Sequence, residues 1–274
     1  MPDTNTHIAA ADTKSAVTTL EKKPGRLHDL FCGMAELTLF TLRFFRSLFS
    51  RPFEFNELLR QSYKIGYLSL PLVGITGFIM GLVLTIQAKP TMAEFGAEAW
   101  VPSMVGVSLI REIGPVITAL ICAGKIGSSI GAELASMKVT EQIDAMEVSG
   151  TNPFKYIVVT RILSTTFMVP LLVIFADAIA LMGSFAGVNF GGDTSFTLFI
   201  KQAFNHLEFI DLLPALIKTV FFGFAIGLIS CFKGYTTTKG TEGVGQAANA
   251  AVVIGSLMVF IIDMIAVQLT SLFM

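Results

Sequence analysis

The sequence predicts an all-α polytopic membrane protein: five transmembrane helices, an N-terminal interfacial amphipathic helix before them, and a short helix in the connection between spans two and three. Three observations carry this expectation. First, the 274 residues are 53% hydrophobic and only 14% charged, with 24 Phe and a mean hydropathy of +0.70, a balance foreign to a water-soluble domain of this length. Second, five apolar runs reach the roughly 20 residues needed to cross a hydrocarbon core about 30 Å thick. Third, a polar island at 131–153, GAELASMKVTEQIDAMEVSGTNP, separates the second run from the third.

Residues 1–26 are polar, rich in Thr and Ala, and end in Lys22-Lys23-Pro24-Gly25-Arg26. No apolar core follows a basic start as a signal peptide requires, so the segment reads as a disordered cytoplasmic tail. Over 27–64 the pattern changes: Leu27, Leu30, Phe31, Met34, Leu37, Phe44, Phe45 and Leu48 recur at helical spacing, punctuated by Asp29, Glu36, Arg43, Arg46 and Arg51. This predicts an amphipathic helix in the membrane interface, with aromatics at the acyl boundary and arginines among the headgroups. The alternative of a sixth span meets the cost of arginines at membrane depth.

The spans are expected at 65–88, 104–131, 154–187, 210–232 and 245–272, forming one domain over 65–274. The third is long enough to tilt or project, with Pro170 as a kink. Nine Lys/Arg precede residue 65, one (Lys138) lies in the island and two (Lys233, Lys239) in the last loop, while the alternate loops hold Lys89 and Lys201 alone. The positive-inside bias therefore puts the N-terminus and the island in the cytoplasm and, after five spans, the C-terminus outside. Glycine pairs at four-residue spacing (Gly77 and Gly81, Gly127 and Gly131, Gly183 and Gly187, Gly223 and Gly227) argue for a closely packed bundle and name no function.

Ionisable residues inside spans are costly unless paired or facing a wet cavity. Arg111 and Glu112 come early in the second span, Lys125 late in it, with Asp177, Lys218 and Asp263 in the third, fourth and fifth. Neighbours on a helix point about 100° apart, so at least one of Arg111 and Glu112 faces inward, into a functional pocket or a structural ion pair. Interhelical pairing would account for Asp177, Lys218 and Asp263. No carboxylates stack at helical spacing to form a proton relay.

Within the island, Thr140 is expected to cap a helix over 139–148, and Gly150 and Pro153 to stop it. Val139, Ile143 and Met146 form an apolar stripe and Glu141, Asp144 and Glu147 an acidic one. So short a helix is marginal alone in water. It reads as a docking plug for a cytoplasmic partner, against the plainer reading of a solvated surface helix.

Other chemistries lack their residues. A phosphate-cradling loop needs Gly-x-x-x-x-Gly-Lys-Ser/Thr, and Gly124-Lys125 is followed by Ile126. The chain is not expected to hydrolyse ATP by that route, nor to be an enzyme. Cys32, Cys122 and Cys231 form no spaced motif, His7, His28 and His206 no cluster, so no metal is expected. A net charge of -1 with dispersed basic residues speaks against nucleic acid.

The motifs REIGP at 111–115, AELASMKVTEQIDAME at 132–147 and Asn152-Pro153 closely resemble the MlaE/YrbE permease family, the membrane subunits of MCE-type ABC lipid transporters. The likeness runs from about Gly77, through Gln87 and Phe95-Gly96-Ala97, to Gly243-Val244-Gly245. Departures are small: the family often has Gly-Thr where Ala135-Ser136 stand and a basic residue where Gln246 stands. The resemblance implies a homodimer in the bacterial inner membrane, two cytoplasmic ABC ATPase subunits that bind ATP and Mg, a periplasmic hexameric MCE-domain protein, and in some systems a small accessory subunit. It also implies that the island is the coupling helix, with Glu133, Met137, Val139, Thr140, Glu141, Gln142, Ile143, Asp144, Met146 and Glu147 seating in the ATPase. Lipid would lie in a cavity between protomers at Arg111, Glu112 and Gln87. The implied function is movement of phospholipid or a similar lipid between the inner membrane and the MCE protein.

Two other classes compete. An ion-coupled secondary transporter would also bury charges, but usually shows internal repeats and broken helices. A non-transporting scaffold would use the plug and leave Arg111 and Glu112 idle.

Overall fold

Helix after helix follows from the apolar runs, and in the computed structural model the described residues are 26–48, 54–190, 194–207, 209–238 and 240–273. The tail expected over 1–26, Arg26 apart, and Arg51 and Lys239 lie outside them. The chain divides into a first unit ending at Arg43 and a second, Phe44–Met274. In the first unit the described residues belong to helix α1 (Arg26–Leu48), on which Phe31, Met34, Leu39 and Leu42 are exposed. Where one amphipathic stretch is expected over 27–64, the described residues form α1 and a second helix, α2 (Phe55–Tyr67), at the foot of the first span.

Among the described residues, five helical segments are long and apolar enough to cross a membrane: Phe55–Glu94, Glu98–Val139, Phe154–Asn189, Leu212–Tyr235 and Thr241–Leu272. At about 1.5 Å per residue the 36 residues of span 3 would reach about 54 Å, well beyond a core about 30 Å thick. Each long span thus has an end left over to build structure outside the hydrocarbon.

The helices are interrupted where the sequence forbids an α-turn. Span 1 breaks between α2 and α3 (Leu70–Glu94), because Pro71 offers no N–H to the carbonyl of Tyr67. The neighbouring Leu68 carbonyl accepts a hydrogen bond from the Lys125 ammonium of span 2. Span 2 comprises α4 (Val101–Ser108), a π-turn (Leu109–Ile113), α5 (Gly114–Cys122), a second π-turn (Ala123–Gly127) and α6 (Ser128–Val139). The first π-turn ends just before Pro115, whose ring would collide with the carbonyl of residue 111 in a regular helix; the wider turn relieves that clash. Span 3 opens with a third π-turn (Phe154–Val159) and continues as α8 (Thr160–Asn189) unbroken through Pro170.

Packing is tightest where spans 1 and 3 cross. A Cβ on Gly81 would overlap the Ala180 carbonyl, and one on Gly183 would overlap the Phe78 carbonyl, so only glycine admits the approach. Beside it the buried hydroxyls of Thr85 and Ser184 lie 2.7 Å apart. The other expected glycine pairs serve the same purpose. Gly223 of α10 (Phe209–Tyr235) leaves room for the Thr165 carbonyl, 2.5 Å from an added Cβ, and Gly131 for the Ala251 methyl of α11 (Thr241–Phe273), at 3.1 Å. Within the second unit the last turn of α1 packs on span 4, Phe44 meeting Phe224 edge-on at 5.7 Å.

Between spans 3 and 4 the sequence reading places only a loop, yet Phe196–Phe204 forms helix α9. Phe199 and Ala203, both fully buried, press it against span 3 and the start of span 2. Gly106 makes the seat, since a Cβ there would come within 3.0 Å of the Ala203 carbonyl. The spacing 196, 199, 203 is helical and could have been read.

Candidate functional site

Two clusters of polar side chains occupy opposite ends of the five-span unit. The first is built on the π-turn of span 2, which carries Arg111 and Glu112. Glu112 accepts from the Lys218 ammonium of span 4, and the same ammonium reaches Asp263 of span 5 at 3.0 Å. Lys218 is 5% exposed, Asp263 20% and Glu112 39%. One buried cation is therefore shared by two carboxylates from two other helices, which is how charges persist among apolar spans.

Arg111 and Glu112 line a cavity of about 70 Å³ with Pro214, Lys218, Thr270 and Ser271. Residues 270 and 271 close span 5, so the cavity lies near the end of the bundle where that span finishes. Three charged groups line it, Arg111, Glu112 and Lys218, while Asp263 holds Lys218 from outside the lining. A pocket whose fixed charges are partnered can meet a charged or polar group by exchanging ion pairs rather than by desolvating a lone charge.

Gln87 does not join this cavity; it is exposed on span 1. Asp177 departs from the pairing expected of it. Its Oδ1 is buried against Gly114 with no hydrogen-bond partner among the described residues, because the wall it meets is backbone without a cation. Lys125 is engaged by the Leu68 carbonyl, away from the cavity.

The second cluster occupies the turn between spans 2 and 3. The expected cap at Thr140 is not formed. Thr140 ends α6, its hydroxyl donating 2.8 Å back to the Ser136 carbonyl, and the next helix, α7, spans Gln142–Val148. Between them Glu141 takes a left-handed backbone, φ 58°, a conformation that costs a non-glycine residue about 1–2 kcal/mol. The chain thereby breaks from α6 into α7 at one residue, and Val139 belongs to the end of span 2 rather than to the short helix. The stop is as expected: Gly150 at φ 78°, its N–H bonded to the Glu147 carbonyl at 3.0 Å and the Thr151 N–H to Met146 at 3.0 Å.

Helix α7 has one buried side and one bare side. Ile143 is 1% exposed and Met146 half-buried, rooting the helix on the bundle. Glu141, Gln142, Asp144 and Glu147 are exposed. Val148 is 90% exposed, an apolar side chain on the outer surface that the sequence reading did not single out. Lys138 pairs with Asp144 at 2.8 Å and ties α6 to α7. Met137 is half-buried at the end of α6. Glu133 stands apart from the exposed acidic face: its carboxylate is held by Lys64 and Arg161, each at 3.0 Å. Among the described residues no group of three His, Cys, Asp or Glu side chains could hold a metal ion.

Comparison with known proteins gives a consistent result. The family profile described as Permease MlaE matches residues 58–269. A probable ABC transporter permease protein of Rickettsia typhi is 38% identical over 231 residues, covering 84% of this chain and 89% of that protein. The intermembrane phospholipid transport system permease protein MlaE of Haemophilus influenzae is 34% identical over 212 residues, 77% of this chain and 81% of its own length. A probable ABC transporter permease protein of Synechocystis is 34% identical over 206 residues, 75% and 78% of the two chains.

Proposed function

The chain belongs to the MlaE family of ABC transporter permeases, and from that premise we propose that it moves phospholipid between the bacterial inner membrane and a periplasmic MCE-domain protein, driven by ATP hydrolysed in a separate cytoplasmic subunit. The observation that carries the reading is helix α7, a short segment rooted by Ile143 with a bare face of Glu141, Asp144, Glu147 and Val148. Such a face on a helix too short to stand alone calls for a partner, and the sequence holds no nucleotide loop of its own.

In this reading two copies of the permease form a homodimer with two ATPases, the MCE hexamer and, in some assemblies, a small accessory subunit. The N-terminus and α7 face the cytoplasm, the C-terminus faces the periplasm, and α1 lies along the inner membrane interface with its exposed apolar residues toward the acyl chains. ATP and Mg sit in the partner. Their closure displaces α7, which moves the ends of spans 2 and 3 as a lever. At the first π-turn of span 2 the same motion changes the cavity at Arg111 and Glu112, where a lipid phosphate meets the Arg111 guanidinium. Only contacts that differ between the two states can do work, so the bare face of α7 must be gripped firmly.

The test is Glu147→Lys in the assembled complex, reconstituted in liposomes with lipid transfer and ATPase rate read together. Loss of lipid-stimulated ATPase by about tenfold or more, at normal yield in the membrane, is expected of a reversed charge in a docked face. Unchanged activity would refute the assignment. Proton-coupled flux from the chain alone would instead favour the secondary transporter.

A further inference from the structure

Helix α7 hangs between two helix ends, the last turn of α6 and the π-turn that opens span 3. Seven residues before Thr140, about 10 Å back along α6, Glu133 bridges the neck of the connection. One carboxylate oxygen takes the Arg161 guanidinium of span 3 at 3.0 Å; the other takes the Lys64 ammonium of α2 at 3.0 Å. Arg161 is 4% exposed, and its Nη1 also donates to the Ile157 carbonyl inside the π-turn at 3.2 Å. A single carboxylate thus fastens together the bases of the first, second and third spans. Alongside, the Ser164 hydroxyl donates to the Leu58 carbonyl at 3.2 Å, so the foot of span 1 already rides on span 3.

We propose that Glu133 is a positioning residue for coupling: it shares the displacement of α7 among three spans, rather than contacting the ATPase itself. The inference rests on the permease reading above. A loop pushed from outside, with a free neck, would yield by splaying the two helices that carry it. With the neck bridged by two charge-assisted bonds, the bases of spans 2 and 3 turn as one body and draw α2 with them. Glu133 is half-buried and both its oxygens are occupied from within the chain, which leaves it poorly placed to greet a partner. The buried Nε–H of Arg161 has no acceptor among the described residues. The joint in this arrangement is one bond short of full satisfaction, as fits a contact remade during a cycle.

The experiment measures lipid transferred per ATP hydrolysed by the complete complex in liposomes. For Glu133→Gln, assembly and basal ATPase are expected to persist, while the ratio falls about tenfold, the size of a typical coupling between sites. Glu133→Asp, which keeps the charge, is expected to recover part of the loss. Lys64→Met removes only the arm to α2, from an exposed position, and is expected to lower the ratio by about threefold, within the range of coupling changes made by single residues. This variant decides the matter should Glu133→Gln fail to assemble. An unaltered ratio in Glu133→Gln or in Lys64→Met would overturn the joint, as would a parallel fall of transfer and ATPase. Absence of ATP-driven transfer by the wild-type complex would overturn the permease reading as well.

Discussion

Replacing Lys218 by methionine would leave the largely buried Asp263, and Glu112 at the cavity wall, without the cation they share. Removing one partner from a buried ion pair costs about 3–5 kcal/mol, because the remaining charge stays desolvated. Lys218→Met should therefore lower thermal stability and membrane yield, and the triple variant with Glu112→Gln and Asp263→Asn should recover most of the loss. A single variant as stable as the wild type would show that the cluster is not an ion-pair network. The sequence singled out all three residues as charges at membrane depth and could not join them, since helical spacing tells which side chains share a face but not which helices are neighbours. Thr140 marks the opposite limit. Threonine ahead of Glu141 and Gln142 looks like a cap, but its hydroxyl can equally bond the carbonyl four residues back, and it does so here. The left-handed Glu141 that makes the turn has no sequence signal comparable to a glycine.

Helix crossings decide the element scale. Gly183→Val would drive a branched side chain into the Phe78 backbone, and neither span 1 nor span 3 can yield without losing the Thr85–Ser184 contact. Overpacking a tight contact commonly costs about 1–3 kcal/mol. This variant should accumulate poorly and melt early, while Gly245→Ala, with open space around it, should match the wild type in the same thermal assay. Equal stability of the two variants would contradict the crossing. The five spans and the glycine faces were legible because hydropathy and small-residue spacing are properties of a single helix. The π-turns were not, although Pro115 and Pro153 mark two of them, because a proline permits a kink, a break or a widened turn alike. Helix α9 was missed although Phe196, Phe199 and Ala203 are correctly spaced, since nine residues after a glycine-rich stretch fall below the length at which periodicity persuades.

Span 2 joins the two polar clusters: the first lies about a third of the way along its 42 residues, on the first π-turn, the second follows its last residue, and the second π-turn lies between them. Force applied at α7 and lipid handled at Arg111 and Glu112 would therefore be linked through one element. On the proposed function the engine would lie outside the chain and the cargo at the far side of the span. The central claim, that α7 seats in a separate ATPase, is tested most directly by cross-linking. Val148 is the most exposed apolar side chain on the helix, so Val148→Cys in a Cys32→Ser background, with Cys122 and Cys231 buried, offers one reactive thiol at the proposed contact. In the assembled complex a short bifunctional reagent should join residue 148 to the ATPase subunit, with a yield that changes when ATP is added. Labelling of that cysteine from the periplasmic side, with no cross-link to the ATPase, would contradict the account.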